Sequence, residues 1–259
     1  MSFRIILAAL CLALATPVVG QSLLDSLDMA SPRMTEAEMT RDELSGLLAA
    51  GTPVDLSRKR LNGLDLSGLD FTGANLRAAA LNGSDLSGAK LDGADISQAW
   101  MYRTDLRGAS LKGALMFQTQ MWEANLAGAD MTGARAAAIF TDADLTGAIF
   151  RGADLSADLK NQSMGLMRGV LRGADADGAD FTGALLSRAD LSFAKLRGAI
   201  FRDADLSTAE LNGADLTGAD VTGANFTRTN LAAARLIDLR GAATARLEDS
   251  INLDRAIRN

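Results

Sequence analysis

The chain lacks most of the side chains on which catalytic and metal sites depend. It has no histidine, and its only cysteine is Cys11. An imidazole general base, a histidine nucleophile and the usual zinc or copper ligand sets therefore have no residues to form them. We expect no catalytic residue, no metal and no cofactor, and the chain is predicted not to be an enzyme.

Proline and large aromatic residues are also scarce. All three prolines precede residue 54, so the long segment that follows contains none. Both tryptophans and the only tyrosine fall within residues 99–123, which read AWMYRTDLRGASLKGALMFQTQMWE. A chain with so few large aromatic side chains gathers them in one place, and the repeat pattern described below predicts where they point.

The first 20 residues, MSFRIILAALCLALATPVVG, predict a signal peptide. Arg4 supplies the positive start, residues 5–15 form a short apolar run, and Val18 and Gly20 occupy the −3 and −1 positions of a cleavage site. A membrane anchor is the alternative, but the run is shorter than the roughly 20 residues that a membrane-spanning helix needs. We expect cleavage after Gly20, a periplasmic or secreted protein, and no stable membrane span.

Export would leave a chain that starts near Gln21 and contains no cysteine, so no disulfide could stabilise it. Loss of Arg4 would leave 25 basic and 32 acidic residues, a net charge of −7. Nucleic-acid binding requires a basic stripe that neutralises phosphates, and the sequence shows none. We therefore expect no nucleic-acid partner.

From Leu56 onward, large apolar residues recur every five positions. The stretch LNGADLTGADVTGANFTRTNL (211–231) shows the unit: a small residue, Asp or Asn, a central Leu or Phe, a small polar residue, and usually Gly. The central positions recur every five residues over 56–136. The phase then shifts back by one residue over 140–155, and the first phase returns over 166–236. The pattern therefore predicts irregularities at 136–140 and 156–165.

A period of five fits neither the α-helix nor a flat strand. It indicates a coil that turns a corner every five residues, with the central side chain and the small residue two before it pointing inward. Glycine suits the corner, where φ can be positive. The absence of proline also fits, because the backbone N–H groups of each coil would bond to the next coil.

The unit resembles the A-[DN]-[LF]-x-x motif of the pentapeptide repeat family over residues 54–240. The resemblance implies an all-β fold, a right-handed quadrilateral parallel β-helix with four repeats per coil, and a bacterial source. About nine coils spaced by roughly 4.8 Å would form a rod of about 43 Å. Such a solenoid needs polar ends. We expect residues 21–53 to contain a short capping helix, at 34–50, and residues 241–259 to form a C-terminal cap.

Four repeats per coil bring residues that are 20 positions apart onto one face. Trp100, Tyr102 and Trp122 would then point outward from neighbouring coils, with Phe117 outward on the adjoining face. Exposed apolar clusters mark interaction sites, and Trp and Tyr are enriched at binding hot spots. We expect these four residues to bind an unidentified protein partner or a second copy of the chain. The alternatives are a repeat irregularity whose rings fold back over a corner, or a loop that the shift beyond Ala136 sends across the rings.

A carbohydrate-active hydrolase is a second hypothesis. The same coil geometry would stack one column of carboxyl and amide groups about 5 Å apart, close to the carboxyl separation of retaining glycosidases. This column consists of Asp65, Asp85, Asp105, Asn125 and Asp144. Asp or Asn belongs to the repeat itself, however, so no pair stands out, and the pattern favours a non-catalytic protein.

A third hypothesis follows from the resemblance alone. Some pentapeptide repeat proteins imitate DNA and inhibit or protect a topoisomerase, and the acidic composition is compatible with this. Two features argue against it. Export would separate the chain from a cytoplasmic topoisomerase, and arginines such as Arg107 and Arg197 interrupt the acidic positions.

Overall fold

The computed structural model describes residues 28–50, 53–159 and 167–259. The expected signal peptide and its cleavage site lie outside the described residues. Among the helices that are described, none is long and apolar enough to cross a membrane.

The repeat segment is a stack of coils joined by parallel backbone pairing. Asp65 pairs with Asp85 and Asp85 with Asp105, and three other columns of residues pair in the same way at intervals of 20. Each coil therefore has four faces. We number them by the central residue of the first coil: Leu56 on face 1, Leu61 on face 2, Leu66 on face 3 and Phe71 on face 4. Corner 1 follows face 1, and the other corners are numbered likewise.

Each position of the five-residue unit has a physical role. The central residue and the small residue before it fill the interior, as Leu81 and Ala79 do with no exposed surface. The Asp between them turns the chain, because its Oδ1 accepts the backbone N–H two residues later; Asp85 accepts from Ser87 at 2.8 Å. The central N–H donates to the next coil. The unit thus satisfies the hydrogen-bonding groups of its backbone without forming long strands.

The N-terminal segment covers the first coil with two helices instead of the single helix expected at 34–50. Helix α1 is Pro32–Thr35 and helix α2 is Arg41–Ala49. Between them, Ala37 pairs antiparallel with Leu61. The chain is interrupted there because Thr40 begins α2 through a reciprocal capping box with Glu43. Leu44 of α2 is fully buried against the interior of the solenoid.

Two irregularities interrupt the stack. At the first, Gln120 pairs with Ile139, so one coil is a residue shorter than the others. At the second, Ile139 pairs with Val170, 31 positions later. The extra residues leave the coil after Ala157 and return at Gly169, whose N–H donates to the Leu155 carbonyl at 2.8 Å.

The expected end of the second irregularity was therefore wrong. The pairing of Ile139 with Val170 makes Leu171 the central residue that follows Phe140 on face 2, and Leu166 lies outside the described residues. Leu166 and Leu171 share the same five-residue phase, so the sequence pattern alone does not distinguish them. The base of the insertion is closed by the N–H of Asp158, which donates to the Met167 carbonyl at 2.8 Å.

The C-terminal segment adds a final, incomplete coil. Strand β1, Arg235–Leu236, pairs in parallel with strand β2, Ile257–Arg258. Two short 3-10 helices, Ala242–Thr244 and Leu253–Arg255, connect them. Ala245 and Leu253 pack against the hydrophobic core, so this segment covers the last regular coil.

Candidate protein-binding surface

Two tryptophans from neighbouring coils meet on face 2. Trp100 precedes the buried Met101, and Trp122 follows the buried Met121. Their ring centroids are 6.2 Å apart and the ring planes are inclined by 40°. This separation is in the range at which aromatic pairs attract each other. The outward positions that the repeat predicts therefore bring the two rings together.

The expectation that all these rings are exposed was wrong for Trp122, of which only 4% is exposed. Trp100 and Tyr102 are half-buried. The reason is geometric: coils are spaced by only about 4.8 Å, so an indole on one coil extends across the next. Trp100 thus lies over Trp122, and the surface presented to solvent is that of Trp100 and Tyr102.

Tyr102 is held by a charged pair beside it. The Arg103 guanidinium carbon lies 4.8 Å from the centroid of the Tyr102 ring, and Arg103 Nε donates to Glu123 at 2.8 Å. Burial, with the nearby Glu123 carboxylate adding to it, raises the pKa of the Tyr102 hydroxyl above its usual value. The phenol therefore remains a neutral hydrogen-bonding group on this face.

Phe117 lies on face 1 and does not extend the tryptophan pair. It lines a groove of about 610 Å³ whose lining includes neither tryptophan nor Tyr102. Leu115, Met116 and Leu159, the last from the start of the insertion, also line the groove. The expected single aromatic patch is therefore two surfaces, one on face 2 and one in the face 1 groove.

The groove was missed because its residues are far apart in the sequence. Leu115 takes the position of the turn-forming Asp, and Arg135 takes the same position one coil later. Reading the sequence in columns of 20 would have shown that both depart from the repeat on one face. Leu159 could not have been placed that way, because it lies outside the repeat.

The carboxylate column on face 3 has a structural role. Asp65, Asp105 and Asp144 each accept the backbone N–H two residues later, at 3.0 Å. The Ser67 hydroxyl lowers the pKa of Asp65, and the Arg107 guanidinium lowers the pKa of Asp105. A general acid needs the opposite shift. This geometry therefore gives no support to the hydrolase hypothesis.

Acidic and basic side chains alternate over much of the solenoid surface. Lys195 pairs with Asp175 at 2.9 Å on face 3, and Arg202 pairs with Asp220 at 2.7 Å on face 4. Such pairing breaks up any continuous negative track of the kind that a DNA mimic needs. Within the described ranges, no three Asp, Glu or Cys residues are grouped so that they could hold a metal ion.

Comparisons with known proteins agree with this coil. Eight copies of the pentapeptide repeat match residues 70–108, 104–137, 138–157, 170–203 and 202–242. The matches stop at 157 and resume at 170, where the structure has its insertion, and a boundary falls at the short coil near 138. No curated protein matches the chain.

Several solved structures are similar to this chain. HetL, a pentapeptide repeat protein involved in heterocyst differentiation regulation in the cyanobacterium Nostoc sp. strain PCC 7120, is 30% identical; the alignment covers 85% of this chain and 98% of HetL, with a TM-score of 0.39. QnrB1, a plasmid-mediated fluoroquinolone resistance protein, is 17% identical, with 77% of this chain and 91% of QnrB1 covered and a TM-score of 0.42.

Members of this family fold as right-handed quadrilateral β-helices and are generally structural or binding proteins, not enzymes. The matched repeats cover more than half of the present chain. Its four-faced coil, its turn-forming Asp and Asn residues and its buried centres all follow the same plan. The chain belongs to the pentapeptide repeat family.

Proposed function

We propose that this protein is an exported, non-catalytic scaffold that binds a protein partner through the middle coils of face 2. The observation that carries the proposal is the position of Trp100 and Tyr102. Both rings are outward and half-buried, at positions that carry mostly small or polar residues in the other coils of face 2. Half-buried aromatic side chains with a fixed support are the usual anchors of protein interfaces.

The surroundings of the two rings support this role. Trp122 lies beneath Trp100, and the Arg103–Glu123 pair fixes Tyr102. The backbone beneath is bonded from coil to coil, as where the Met101 N–H donates to the Gln120 carbonyl at 2.8 Å. A surface that is already ordered loses little conformational entropy on binding. We therefore assign Trp100 and Tyr102 as contact residues and Trp122 as their support.

The test is capture by a C-terminally tagged full chain expressed in its own cell, compared with the double variant Trp100→Ala/Tyr102→Ala. The matched control is Phe193→Ala, which removes another exposed aromatic ring from face 2, four coils away from Tyr102. We expect a partner that is retained by the control and lost by the double variant. Equal capture by all three proteins would contradict the proposal.

The same variants distinguish a partner protein from a second copy of the chain. If the occupant is a second copy, light scattering after size exclusion shows a dimer that the double variant converts to a monomer. A monomer that captures nothing at all would overturn the binding function.

Export has its own test. Fractionation followed by N-terminal sequencing is expected to find the mature chain outside the cytoplasm, starting at Gln21. An intact Met1 in the cytosol would contradict export, and would remove one of the two arguments against a topoisomerase partner.

A further inference from the structure

The groove on face 1 has an apolar floor that no part of the described chain covers. Leu115 is 39% exposed and Leu159 is 54% exposed, and both line the groove together with Phe117. On a regular coil the positions of Leu115 and Phe117 usually carry Asp or Asn and a small polar residue, which water solvates well. Apolar side chains that converge on a concave surface are typical of a binding site.

The arginines around this floor differ in whether they are paired with a carboxylate. Arg77, at one end, is paired with Asp95 at 3.1 Å. Arg135, in the fifth coil, is exposed and forms no ion pair with any described residue. Its neighbour in the column, Asp154, accepts hydrogen bonds from the backbone and hydroxyl of Ser156 at 3.0 and 2.6 Å. The groove thus offers one unpaired guanidinium beside apolar side chains.

The backbone beneath the groove is already fully engaged in coil-to-coil bonds. The Leu115 carbonyl accepts from Ile96, the Arg135 carbonyl accepts from Met116, and both N···O distances are 2.9 Å. An occupant therefore cannot add itself as a further strand, which is how many extended peptides bind exposed sheet edges. It has to be recognised by its side chains.

The length of the groove sets the size of the occupant. The lining residues run from Arg77 in the second coil to Leu159 after the first repeat of the sixth. Four coil spacings of roughly 4.8 Å give about 19 Å, and an extended chain advances about 3.3 Å per residue. The groove therefore fits about six residues of extended peptide.

We propose that this groove binds an extended segment of a partner protein in which an acidic residue is flanked by apolar ones. The apolar side chains lie over Leu115 and Phe117, and the carboxylate pairs with the Arg135 guanidinium. Asp154, one coil beyond Arg135, repels a second carboxylate on that side and so fixes the direction of the segment. This inference rests on the proposed function, because it names the chemistry of a segment that such a partner would carry.

The experiment is a selection of random heptapeptides displayed on phage against the immobilised full chain, with an immobilised unrelated protein as counter-selection. We expect enrichment of peptides with an Asp or Glu beside Leu, Ile or Phe. Synthetic versions of the enriched peptides, carrying a fluorescent label, are then titrated by anisotropy against the protein and its variants. Binding should weaken as salt is raised.

Three variants decide the outcome. Arg135→Ala and Phe117→Ala should each weaken binding at least tenfold, whereas Arg135→Lys, which keeps the charge, should weaken it only a few-fold. The matched control is Arg107→Ala, which removes an exposed arginine from face 3. Circular dichroism checks that every variant is folded.

Two results would overturn the inference: no peptide enriched above the counter-selection, or enriched peptides that bind Arg135→Ala as tightly as the parent. Neither result depends on Trp100 or Tyr102. If the peptides fail while partner capture still requires those two rings, the inference is wrong and the proposed function stands. If the peptides bind and partner capture is insensitive to the rings, the groove site stands and the assignment of face 2 is wrong.

Discussion

Corner 1 and corner 3 of the coil have the same backbone but different residues. Both place a residue in the left-handed region, with φ of 62° at Arg58 and 62° at Gly108. Corner 3 uses glycine in all but the last coil: Gly68, Gly88, Gly108, Gly128, Gly147, Gly178, Gly198 and Gly218. Corner 1 never does; its left-handed residues are Arg58, Ala78, Gln98, Gln118, Arg188, Thr208 and Arg228. A side chain in this conformation costs roughly 1 kcal/mol or more, so corner 1 keeps its side chains at the expense of stability.

The faces also differ in how many of their charged side chains form ion pairs. On faces 3 and 4, most arginines and lysines are matched by carboxylates, as in the 3.2 Å pair of Lys112 with Asp130. On face 1 and its corner, four arginines form no ion pair within the described ranges: Arg58, Arg135, Arg188 and Arg228. Exposed ion pairs contribute little to stability, so the contrast concerns which groups remain available to a partner. Most cationic groups of faces 3 and 4 are paired within the solenoid, whereas the four arginines on face 1 and its corner are not.

The largest predicted effect separates the aromatic rings inside the solenoid from those outside it. Phe150, Phe181 and Phe201 stack in the interior with centroids 4.9 and 5.0 Å apart. Phe181→Ala should therefore lower the free energy of unfolding by about 3–5 kcal/mol. Trp100→Ala should lower it by less, because it removes an aromatic pair worth about 0.5–1.5 kcal/mol and only the buried part of a half-exposed ring.

Urea unfolding of both variants, followed by circular dichroism, measures the difference. An equal loss in the two variants would show that the outer tryptophan pair belongs to the core. In that case the rings of face 2 would stabilise the fold as the interior rings do, and would not be a separate surface for a partner.

The next effect compares two aspartates in different surroundings. Asp220 on face 4 is 3% exposed; the Thr222 hydroxyl, with Arg202 adding to it, lowers the pKa of its carboxyl to about 2. Burial, with Glu123 nearby, raises the pKa of Asp142 at corner 2. Ionisation of Asp220 therefore stabilises the fold, whereas ionisation of Asp142 destabilises it.

Asp220→Asn should lower the free energy of unfolding by about 1.5–3 kcal/mol at pH 7, the value of hydrogen bonds to a charged group. A carboxyl in the unfolded chain titrates near pH 3.9 and this one, when folded, near 2, so the loss should fade as the pH falls between these values. Asp142→Asn should cause no loss at pH 7. Urea midpoints at pH 7, 4 and 2.5 test both; a loss from Asp220→Asn that is unchanged at pH 2.5 would contradict this assignment.

The sequence predicted the coil well because each part of the five-residue unit has a local cause. A central Leu, a small residue two before it and an Asp that turns the chain are read directly from positions such as 214–218. The burial of Trp122 was not predictable in this way, because it depends on a ring one coil away and on the small spacing between coils. The groove needed Leu115, Arg135 and Leu159 to be brought together by pairing across coils and by an insertion. The features that the sequence did not predict therefore depend on contacts between coils, and not on contacts within the five-residue unit.

The smallest effect tests the two corners directly by exchanging their residues. No atom lies within 4 Å of a Cβ built on Gly108, so Gly108→Ala at corner 3 should cost only the backbone term, about 0.5–1 kcal/mol after the lower entropy of the unfolded alanine chain is subtracted. Ala78 at corner 1 has a φ of 54°, and Ala78→Gly should stabilise the protein by the same amount.

The control is Gly46→Ala in α2, where the site is equally open and φ is not positive. This change should stabilise the protein, because alanine is the better helix former. Urea midpoints of the three variants give the sign of each change. If Ala78→Gly destabilises, the side chains at corner 1 contribute packing to the solenoid, and their retention there no longer points to a partner.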